Sequence, residues 1–364
     1  MRRIGPVLQS NQTLTSICLH AECMEHESVF AIAEALKTNR TLRMLNLGYN
    51  KIGPEGAIAI AEALKANNTL TSIDLSRNPL SLEGLIAIAE ALKINRSLTR
   101  IVLDKNEFGE SGAYAFAEAL KLNRGLTQIV LKRNKFVEGA VTALAEALIM
   151  NRILTQIDLE GNAFGEGGAC AIAEALKMNR ILTQIYLHWN RMGSVGAIAI
   201  AKALKINETL TEMDLAFNSI DSNGATALAE ALKTNRTLTR MSLAGNEIGE
   251  TGLDSFIQAL EINPALTNLR LDTKDHDEQT KPYLQRNRKL KQQGCVALLA
   301  LRHRQKGLWG TAPRDVLEMM LRMAYPDILS GKRVNFPTCS APSSSLSDSD
   351  VSYDNENRYS PRSI

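Results

Sequence analysis

The sequence predicts an α/β solenoid in which short parallel strands form one side and helices the other. Two observations lead to this prediction. A unit of 28 residues recurs nine times between residues 13 and 264, and each unit contains two hydrophobic periods. The segment LTxIDL alternates apolar and polar residues as a strand does, whereas GAxAIAEALK has apolar residues at helical spacing. A single unit cannot bury its own apolar face, so the units must stack strand beside strand and helix beside helix.

Three positions are the same in all nine copies. They are the first Leu of each strand segment (Leu14 through Leu238), the Leu five residues later (Leu19 through Leu243) and an Asn after each helix (Asn39 through Asn263). Asn tolerates the left-handed backbone that often ends a helix, so the third position is predicted to be left-handed.

Two further positions recur in most copies. An Asn eight residues after the first Leu (Asn50 through Asn246) is present in every copy but the first, and its amide is predicted to bond loop backbone groups that would otherwise be buried unpaired. A Gly stands at the start of the helix in seven copies. The missing Cβ indicates either a close approach of neighbouring backbones or a positive φ.

The two layers have different natural spacings, which predicts curvature. Strands repeat every ~4.8 Å, while packed helices lie ~8–10 Å apart. The strands should therefore line the concave face of a horseshoe and the helices its convex face.

These repeats resemble the ribonuclease-inhibitor-like branch of the leucine-rich-repeat family, which is also seen in NOD-like receptors. The resemblance is carried by the 28-residue period, the LxxLxLxxN strand motif and the GAxAIAEAL helix, and it extends over about 70% of the chain. It implies a leucine-rich-repeat solenoid. Bacterial effectors with GAxALA repeats are similar in the helix, but their repeats are shorter.

The sequence predicts five regions. Residues 1–12 form a partial N-terminal repeat or cap, residues 13–272 the repeat array, and residues 273–294 a polar C-terminal cap helix. Residues 295–334 form a further helical segment, and residues 335–364 a disordered tail that is rich in Ser and poor in apolar residues.

Residues 312–329 resemble the opening of an F-box, with five residues in matching places: Pro313, Asp315, Val316, Leu317 and Leu321. The later half of an F-box is absent from the sequence, and Ala312 replaces the expected Leu. Two interpretations stay open. The segment is an amphipathic helix that packs on the last repeats, or it docks a partner such as a ubiquitin-ligase subunit.

Composition narrows the function classes. Lys and Arg number 42 against 39 Asp and Glu, a formal charge of +3, which favours neither nucleic acid nor an acidic membrane as partner. The five cysteines and five histidines follow no disulfide or metal-ligand spacing. We therefore expect no metal, no cofactor and no enzyme activity. Without a signal peptide or a membrane span in the sequence, a cytoplasmic location is expected, or alternatively delivery into a host cytosol.

The candidate site lies on the concave face. Because side chains alternate along a strand, the residues between the core Leu and Ile point into the hollow. The candidate partner-binding residues are four aromatic or imidazole side chains (Tyr186, His188, Trp189, Phe217), four cations (Arg77, Lys105, Lys132, Arg133) and four acids (Asp158, Glu160, Glu212, Asp214). Large aromatics are typical of binding hot spots, although local packing of Trp189 over the strand-to-helix turn is the alternative.

The charges in the hollow are balanced, which argues against inhibition of a strongly basic ribonuclease. A second stripe of Arg follows the post-helix Asn in six copies; it is interpreted as solvated or salt-bridged, with nucleic-acid binding as the alternative. The sequence therefore predicts a non-catalytic protein-interaction scaffold that binds a protein partner in its concave face. The alternative function is a ubiquitin-ligase adaptor or a host-directed effector that uses residues 312–329.

Overall fold

The computed structural model describes residues 4–24, 26–271 and 274–304. Strands and helices alternate throughout these ranges. The strands are β1 (Ser16–Cys18), β2 (Met44–Asn46), β3 (Ser72–Asp74), β4 (Arg100–Val102), β5 (Gln128–Val130), β6 (Gln156–Asp158), β7 (Gln184–Tyr186), β8 (Glu212–Asp214), β9 (Arg240–Ser242) and β10 (Asn268–Arg270). The helices are α1 (Ile4–Ser10), α2 (His26–Thr38), α3 (Pro54–Ala66), α4 (Ser81–Ile94), α5 (Gly109–Leu122), α6 (Glu138–Met150), α7 (Gly165–Met178), α8 (Gly193–Leu204), α9 (Ser222–Leu232), α10 (Gly249–Ile262) and α11 (Lys274–Arg304).

The ten strands form one open parallel sheet in chain order. The register advances by one repeat per strand, so that Ile157 of β6 pairs with Ile129 of β5 and Ile185 of β7. The middle residue of each strand from β2 to β10 is buried, and the helices bury their Ala, Ile and Leu residues in the same continuous core. The predicted leucine-rich-repeat α/β solenoid is therefore confirmed.

Close packing accounts for the Gly at the start of the helix in repeats such as those of Gly84 and Gly196. A Cβ on Gly84 would lie 2.6 Å from the Cβ of Ala57, and one on Gly196 would lie 2.7 Å from the Cβ of Ala169. Neither glycine has a positive φ. Of the two reasons that the sequence allowed, the structure selects the approach of neighbouring helices.

Asparagine side chains tie each repeat to the one before it. The Oδ1 of Asn162 accepts from the N–H groups of Asn134 (2.8 Å) and Phe136 (3.4 Å). Its Nδ2 donates to the carbonyls of Leu131 (3.1 Å) and Leu159 (2.9 Å). The same pattern recurs every 28 residues, as the sequence predicted for this position, and it satisfies backbone groups that are cut off from water.

The side chain of the Asn after each helix also bonds backbone groups of two repeats, but its backbone does not have the predicted conformation. Asn95 has φ −64° and ψ 134°, which is extended rather than left-handed. Its equivalent Asn151 donates Nδ2 to the Leu120 carbonyl (2.7 Å) and accepts from the N–H of Leu154 (2.7 Å). The prediction of a left-handed helix end was wrong because this residue is required for its amide, which links two repeats, and not for its backbone freedom.

The two ends of the described chain carry helices. Helix α1 packs on α2, and α11 runs through the position at which the sequence divided a cap helix (273–294) from the next segment (295–334). The five predicted boundaries remain predictions. The F-box-like residues 312–329 and the tail 335–364 lie outside the described residues.

Candidate interaction surface

The side of the sheet opposite the helices, here called the strand face, carries the first and third residue of each strand and the loop that follows. All twelve candidate residues are found there. Tyr186 and Lys132 are half-buried on this face rather than in the core, and the core position between Gln184 and Tyr186 is filled by Ile185. The alternation predicted from the sequence therefore describes the strands correctly.

One column of the strand face has an unusual backbone. The residue seven positions after the first Leu has φ between 52° and 68° in nine successive repeats. We call these residues the left-handed column: Ala21, Tyr49, Arg77, Lys105, Arg133, Gly161, Trp189, Phe217 and Gly245. A left-handed conformation costs a residue with a Cβ roughly 1–2 kcal/mol, and Gly161 and Gly245 show that the column accepts glycine.

Trp189 and Phe217 form a stacked pair within this column. Their ring centroids are 4.4 Å apart and their planes differ by 8°. Both rings remain open to solvent, with 53% of Trp189 and 40% of Phe217 exposed. The next residue of the column is Gly245, and the ring of Phe217 fills the space that a Cβ there would need. The glycine thus allows the aromatic platform to lie flat against the sheet.

The backbone beneath the pair is held by the following repeats. The N–H of Trp189 donates to the Ala216 carbonyl (3.0 Å), and the N–H of Phe217 donates to the Ala244 carbonyl (2.8 Å). These bonds hold both residues in the left-handed conformation, so the rings are presented by a rigid support.

A network of charged side chains lies next to the aromatic pair. Lys132 Nζ is 3.2 Å from Asp158 Oδ2 and 2.8 Å from Glu160 Oε2. Arg133 reaches the other oxygen of Glu160 at 3.1 Å, and His188 Nε2 reaches Glu160 Oε2 at 2.9 Å. Five predicted site residues are therefore in direct contact, which we call the charge network.

The two acids of the charge network are buried beneath their cationic partners. Asp158 is only 6% exposed and Glu160 only 8%. The sequence treated these carboxylates as charges that flank the aromatics, and it grouped Lys132 and Arg133 with a separate cationic patch. In the structure the two groups neutralise each other, so neither Asp158 nor Glu160 presents a free charge.

Burial and pairing shift the titration of this network in opposing directions. Burial alone would raise the pKa of Glu160, but hydrogen bonds from His188 and Lys132 hold that pKa well below its ordinary value. Burial would lower the pKa of His188, but the bond to Glu160 and the charge of Asp214 raise it. His188 Nδ1 lies 3.5 Å from Asp214 Oδ2, beyond a good hydrogen bond, and has no hydrogen-bond partner. The imidazolium form is thus favoured between two carboxylates.

Two strand-face residues outside the twelve candidates, Asp104 and Arg240, complete the surroundings. Asp104 accepts the backbone N–H of Lys132 at 3.1 Å, and burial raises the pKa of Asp104 to about 6. Arg240 forms an ion pair with Glu212. Burial, together with Glu212, raises the pKa of Tyr186 to about 12. The ion pair between Arg240 and Glu212 could have been predicted from the strand register, because the two residues are directly paired on neighbouring strands.

Two candidate cations stand apart from the charge network. In the part of the chain that the structure describes, neither Arg77 nor Lys105 has a carboxylate at ion-pair distance. Arg77 instead lies over the ring of Tyr49, with 5.8 Å from guanidinium carbon to ring centroid. Burial lowers the pKa of Lys105, and the charges of Arg77 and Arg133 lower it further. Arg77 and Lys105 therefore form a cationic strip without ion pairs, although the charges of Glu160 and Asp104 partly offset that of Lys105.

Among residues 4–24, 26–271 and 274–304, no His, Cys, Asp and Glu side chains group as a metal site would require. Within those same ranges no helix has the length and apolar character needed to cross a membrane.

The chain matches a family model described as Leucine Rich repeat over five segments, residues 38–61, 66–89, 179–201, 207–229 and 234–256. The chain therefore contains leucine-rich repeats, in agreement with its sheet and helices. No curated protein matches the sequence significantly.

Several solved structures are similar in fold. The leucine-rich repeat-containing protein LegL7 from Legionella pneumophila is 18% identical over 75% of this chain and 88% of its own, with a TM-score of 0.48. Leiomodin-1 actin-binding site 2 is 22% identical over 47% of this chain and 98% of its own, with a TM-score of 0.41. The tropomodulin C-terminal domain of Caenorhabditis elegans is 12% identical over 54% and 98%, with a TM-score of 0.34. Similarity at such values gives no information on the partner of this chain.

Proposed function

We propose that the repeat array is a non-catalytic scaffold that binds a protein partner on the strand face, the predicted concave side, with Trp189 and Phe217 as apolar anchors. The observation that carries the proposal is the exposed, stacked pair itself. Two large rings occupy backbone positions that favour glycine, and both rings remain about half exposed. Folding alone gives no reason to prefer them over the glycine found at Gly161 and Gly245.

The stacked pair has the properties of a binding hot spot. Aromatic side chains have few rotatable bonds and bury much area at little cost in conformational entropy. Stacking and the hydrogen-bonded backbone restrict the rings further, so binding would immobilise little that is not already fixed. Preorganisation of this kind leaves more of the interaction energy available for affinity.

The local-packing interpretation of Trp189 is partly met by the stack on Phe217. A packed side chain in a monomer would, however, bury most of its ring, and a pair that is half exposed on a rigid sheet still leaves apolar surface for a partner.

The charges of the strand face are proposed to orient the partner and not to anchor it. The acids of the charge network are already neutralised by Lys132, Arg133 and His188, so a partner does not have to pair with them. Arg77 and Lys105 lack such partners and leave positive charge on the surface. The partner is therefore expected to place an acidic group over the cationic strip and an apolar group on the aromatic pair.

The 28-residue period and the Asn-linked strand motif support a ribonuclease-inhibitor-like subtype of the repeat. Adaptor or effector functions depend on residues 312–329, and no contact of the described residues favours them. The scaffold is for that reason the one function that we propose.

Trp189→Ala combined with Phe217→Ala tests the proposal. The wild-type full-length chain is used as bait in an extract of its source, the partner is identified by mass spectrometry, and its affinity for each variant is measured by calorimetry. The double variant should bind roughly 30-fold more weakly, about 2 kcal/mol.

Phe30→Ala is the matched control, because Phe30 lies on the helix side with 42% of its surface exposed, close to the 40% of Phe217. It should leave the affinity within about twofold. Equal affinity of the double variant and the control would refute the proposed anchors, while a lowered melting temperature in the double variant alone would trace the loss to folding.

A further inference from the structure

A second surface lies at the C-terminal ends of four successive helices. The last residue of each helix is large, apolar and exposed, and an Arg follows two residues later. We call this surface the rim patch. It consists of Ile94, Arg96, Leu122, Arg124, Met150, Arg152, Met178 and Arg180. The four apolar side chains are 54–61% exposed.

The rim patch is confined to one part of the array. At the same two positions, the repeat before the patch has Ala66 and Asn68. The second repeat after the patch has Thr234 and Arg236. The intervening repeat keeps Ile206 but has an acidic Glu208. Since the repeat folds with either kind of residue at these positions, folding does not explain the apolar row.

The arginines of the rim patch carry free charge. Arg124 donates to the carbonyls of Lys121 (3.0 Å) and Asn123 (2.9 Å), and Arg180 donates in the same way to Lys177 (2.9 Å). These bonds cap helix C-termini and hold the guanidinium groups in place. Within the described ranges, none of the four arginines has a carboxylate at ion-pair distance, so at the rim patch the stripe is solvated rather than salt-bridged. Most of each guanidinium's donors remain available.

We propose that the rim patch is a second docking site, which takes an amphipathic helix of a partner protein that carries acidic residues along one edge of its apolar row. The apolar row supplies the buried contact, and the arginine row pairs with the acids in bidentate hydrogen bonds. The proposal does not depend on the strand face.

The neighbouring charges favour a narrow partner. On the helix side, each apolar residue has a Glu four residues before it, such as Glu90 beside Ile94 and Glu118 beside Leu122. These glutamates are exposed, and three of them form ion pairs with the Lys three residues later: Glu90 with Lys93 (2.5 Å), Glu118 with Lys121 (2.7 Å) and Glu174 with Lys177 (2.5 Å). A broad anionic surface, such as a membrane or a nucleic acid, would also cover this neutralised row, which offers it no net charge, whereas a helix is narrow enough to contact only the apolar and arginine rows. Two copies of the rim patch would place arginine against arginine.

The spacing of the array also fits a helix. Packed helices repeat every ~8–10 Å, and seven residues of an α-helix rise about 10.5 Å. A partner helix that lies along the rim would therefore match one apolar residue of every heptad to each repeat. Four repeats span three such intervals, which corresponds to a helix of roughly 20 residues.

The probe for this site is a fluorescein-labelled peptide of about three heptads, with Leu at the heptad positions and Glu along one edge. Its affinity for the full-length chain is measured by fluorescence polarisation. Met150→Asp together with Met178→Asp should weaken binding about tenfold or more, because an aspartate would be buried against the peptide and would repel its acids. Arg124→Glu with Arg152→Glu should have a similar effect.

The controls use the same positions outside the patch. Ile262 is 56% exposed, as Met150 is, but Pro264 stands where the patch has Arg. Ile262→Asp and Arg236→Glu should each change the affinity by less than about twofold. All the substituted side chains are exposed and every variant places an acid at a helix C-terminus, so the melting temperature should fall by a similar small amount in the patch and control variants.

Three results would overturn the proposal. They are no binding of the peptide, equal binding of a peptide with the same composition in scrambled order, and equal losses in the patch and control variants. Vesicles of phosphatidylcholine with roughly a quarter phosphatidylserine are tested in parallel. Binding to vesicles that the Met150→Asp and Met178→Asp variant abolishes, without binding to the peptide, would assign the rim patch to a membrane surface instead.

Discussion

Trp189 and Asn190 are neighbours in the chain and follow opposite rules. Asn190 belongs to a column that is Asn in eight successive repeats, is fully buried and bonds both its own repeat and the one before. Trp189 belongs to the left-handed column, whose members range from glycine to tryptophan. The uniform column is fixed by the needs of the stack. The variable column is not, and its side chains are available for recognition.

The difference shows that each repeat contains two kinds of position, one required for folding and one free to vary for recognition. Wherever a residue must satisfy backbone groups of two repeats, only one side chain fits. Wherever a residue faces solvent from a backbone that is already fixed, any side chain is accepted at some cost in strain. Function is therefore expected where the copies differ although the backbone does not.

The largest effect should come from the uniform column. Asn162→Ala removes an amide that is 2% exposed and bonds to Asn134, Leu131 and Leu159. The backbone groups left behind are buried without partners, so we expect a loss of about 3 kcal/mol in the free energy of unfolding. Urea unfolding followed by circular dichroism measures it. A loss under about 1 kcal/mol would mean that water replaces the amide and that the column is not structural.

The next largest effect is the pH dependence of stability that comes from Asp104, whose carboxylate accepts the backbone N–H of Lys132. A carboxyl whose pKa is raised on folding binds its proton more tightly in the folded chain. Its contribution to stability is therefore complete below the unfolded value of about 3.8 and is lost as the pH rises through about 6. The raised pKa of His188 acts in the same direction, since that stabilisation is lost as the pH rises through the folded value.

Asp104→Asn separates these two groups. The amide oxygen can still accept the N–H of Lys132 but carries no charge. Above a pH of about 7 the variant should be more stable than the wild type by roughly 1–2 kcal/mol, and below a pH of about 4 the difference should vanish. Urea unfolding across this range tests it. A difference that does not change with pH would show that Asp104 titrates normally.

The smallest effect lies in the variable column. Lys105→Gly relieves a left-handed strain of roughly 1–2 kcal/mol and removes repulsion from Arg77 and Arg133, but it adds a backbone entropy cost of about 0.5–1 kcal/mol. The variant should be about 0.5 kcal/mol more stable than the wild type. Its neighbour Asn106 should behave oppositely, and Asn106→Gly should lose about 2 kcal/mol. Similar losses from both substitutions would erase the distinction between the columns.

Most of the fold could be predicted from the sequence. The 28-residue period fixed the order and register of the strands, and the alternation in LTxIDL fixed which side chains face the core. The second Asn column was also predicted with its role, because a buried amide in a loop has few other uses. The Asn after each helix was misjudged, since an amide that bonds the preceding repeat leaves no local mark in the sequence to distinguish it from a left-handed cap.

The candidate site was predictable in position but less so in its electrostatics. The sequence placed Trp189 and Phe217 next to each other, and a stack was the natural outcome. It did not reveal that Glu160 is shared by Lys132, Arg133 and His188, because that sharing depends on how long side chains cross between strands. The left-handed backbone was signalled by Gly161 and Gly245, which occupy the register of Trp189.

The central claim is that Trp189 is covered by a partner, and a single resonance can test it. The chain has two tryptophans, so a Trp309→Phe chain labelled with 5-fluorotryptophan reports on Trp189 alone by fluorine NMR. On titration with the partner, we expect the resonance to shift and to lose its sensitivity to a soluble paramagnetic probe. A resonance that stays unshifted and equally accessible when the partner is saturating would contradict the account.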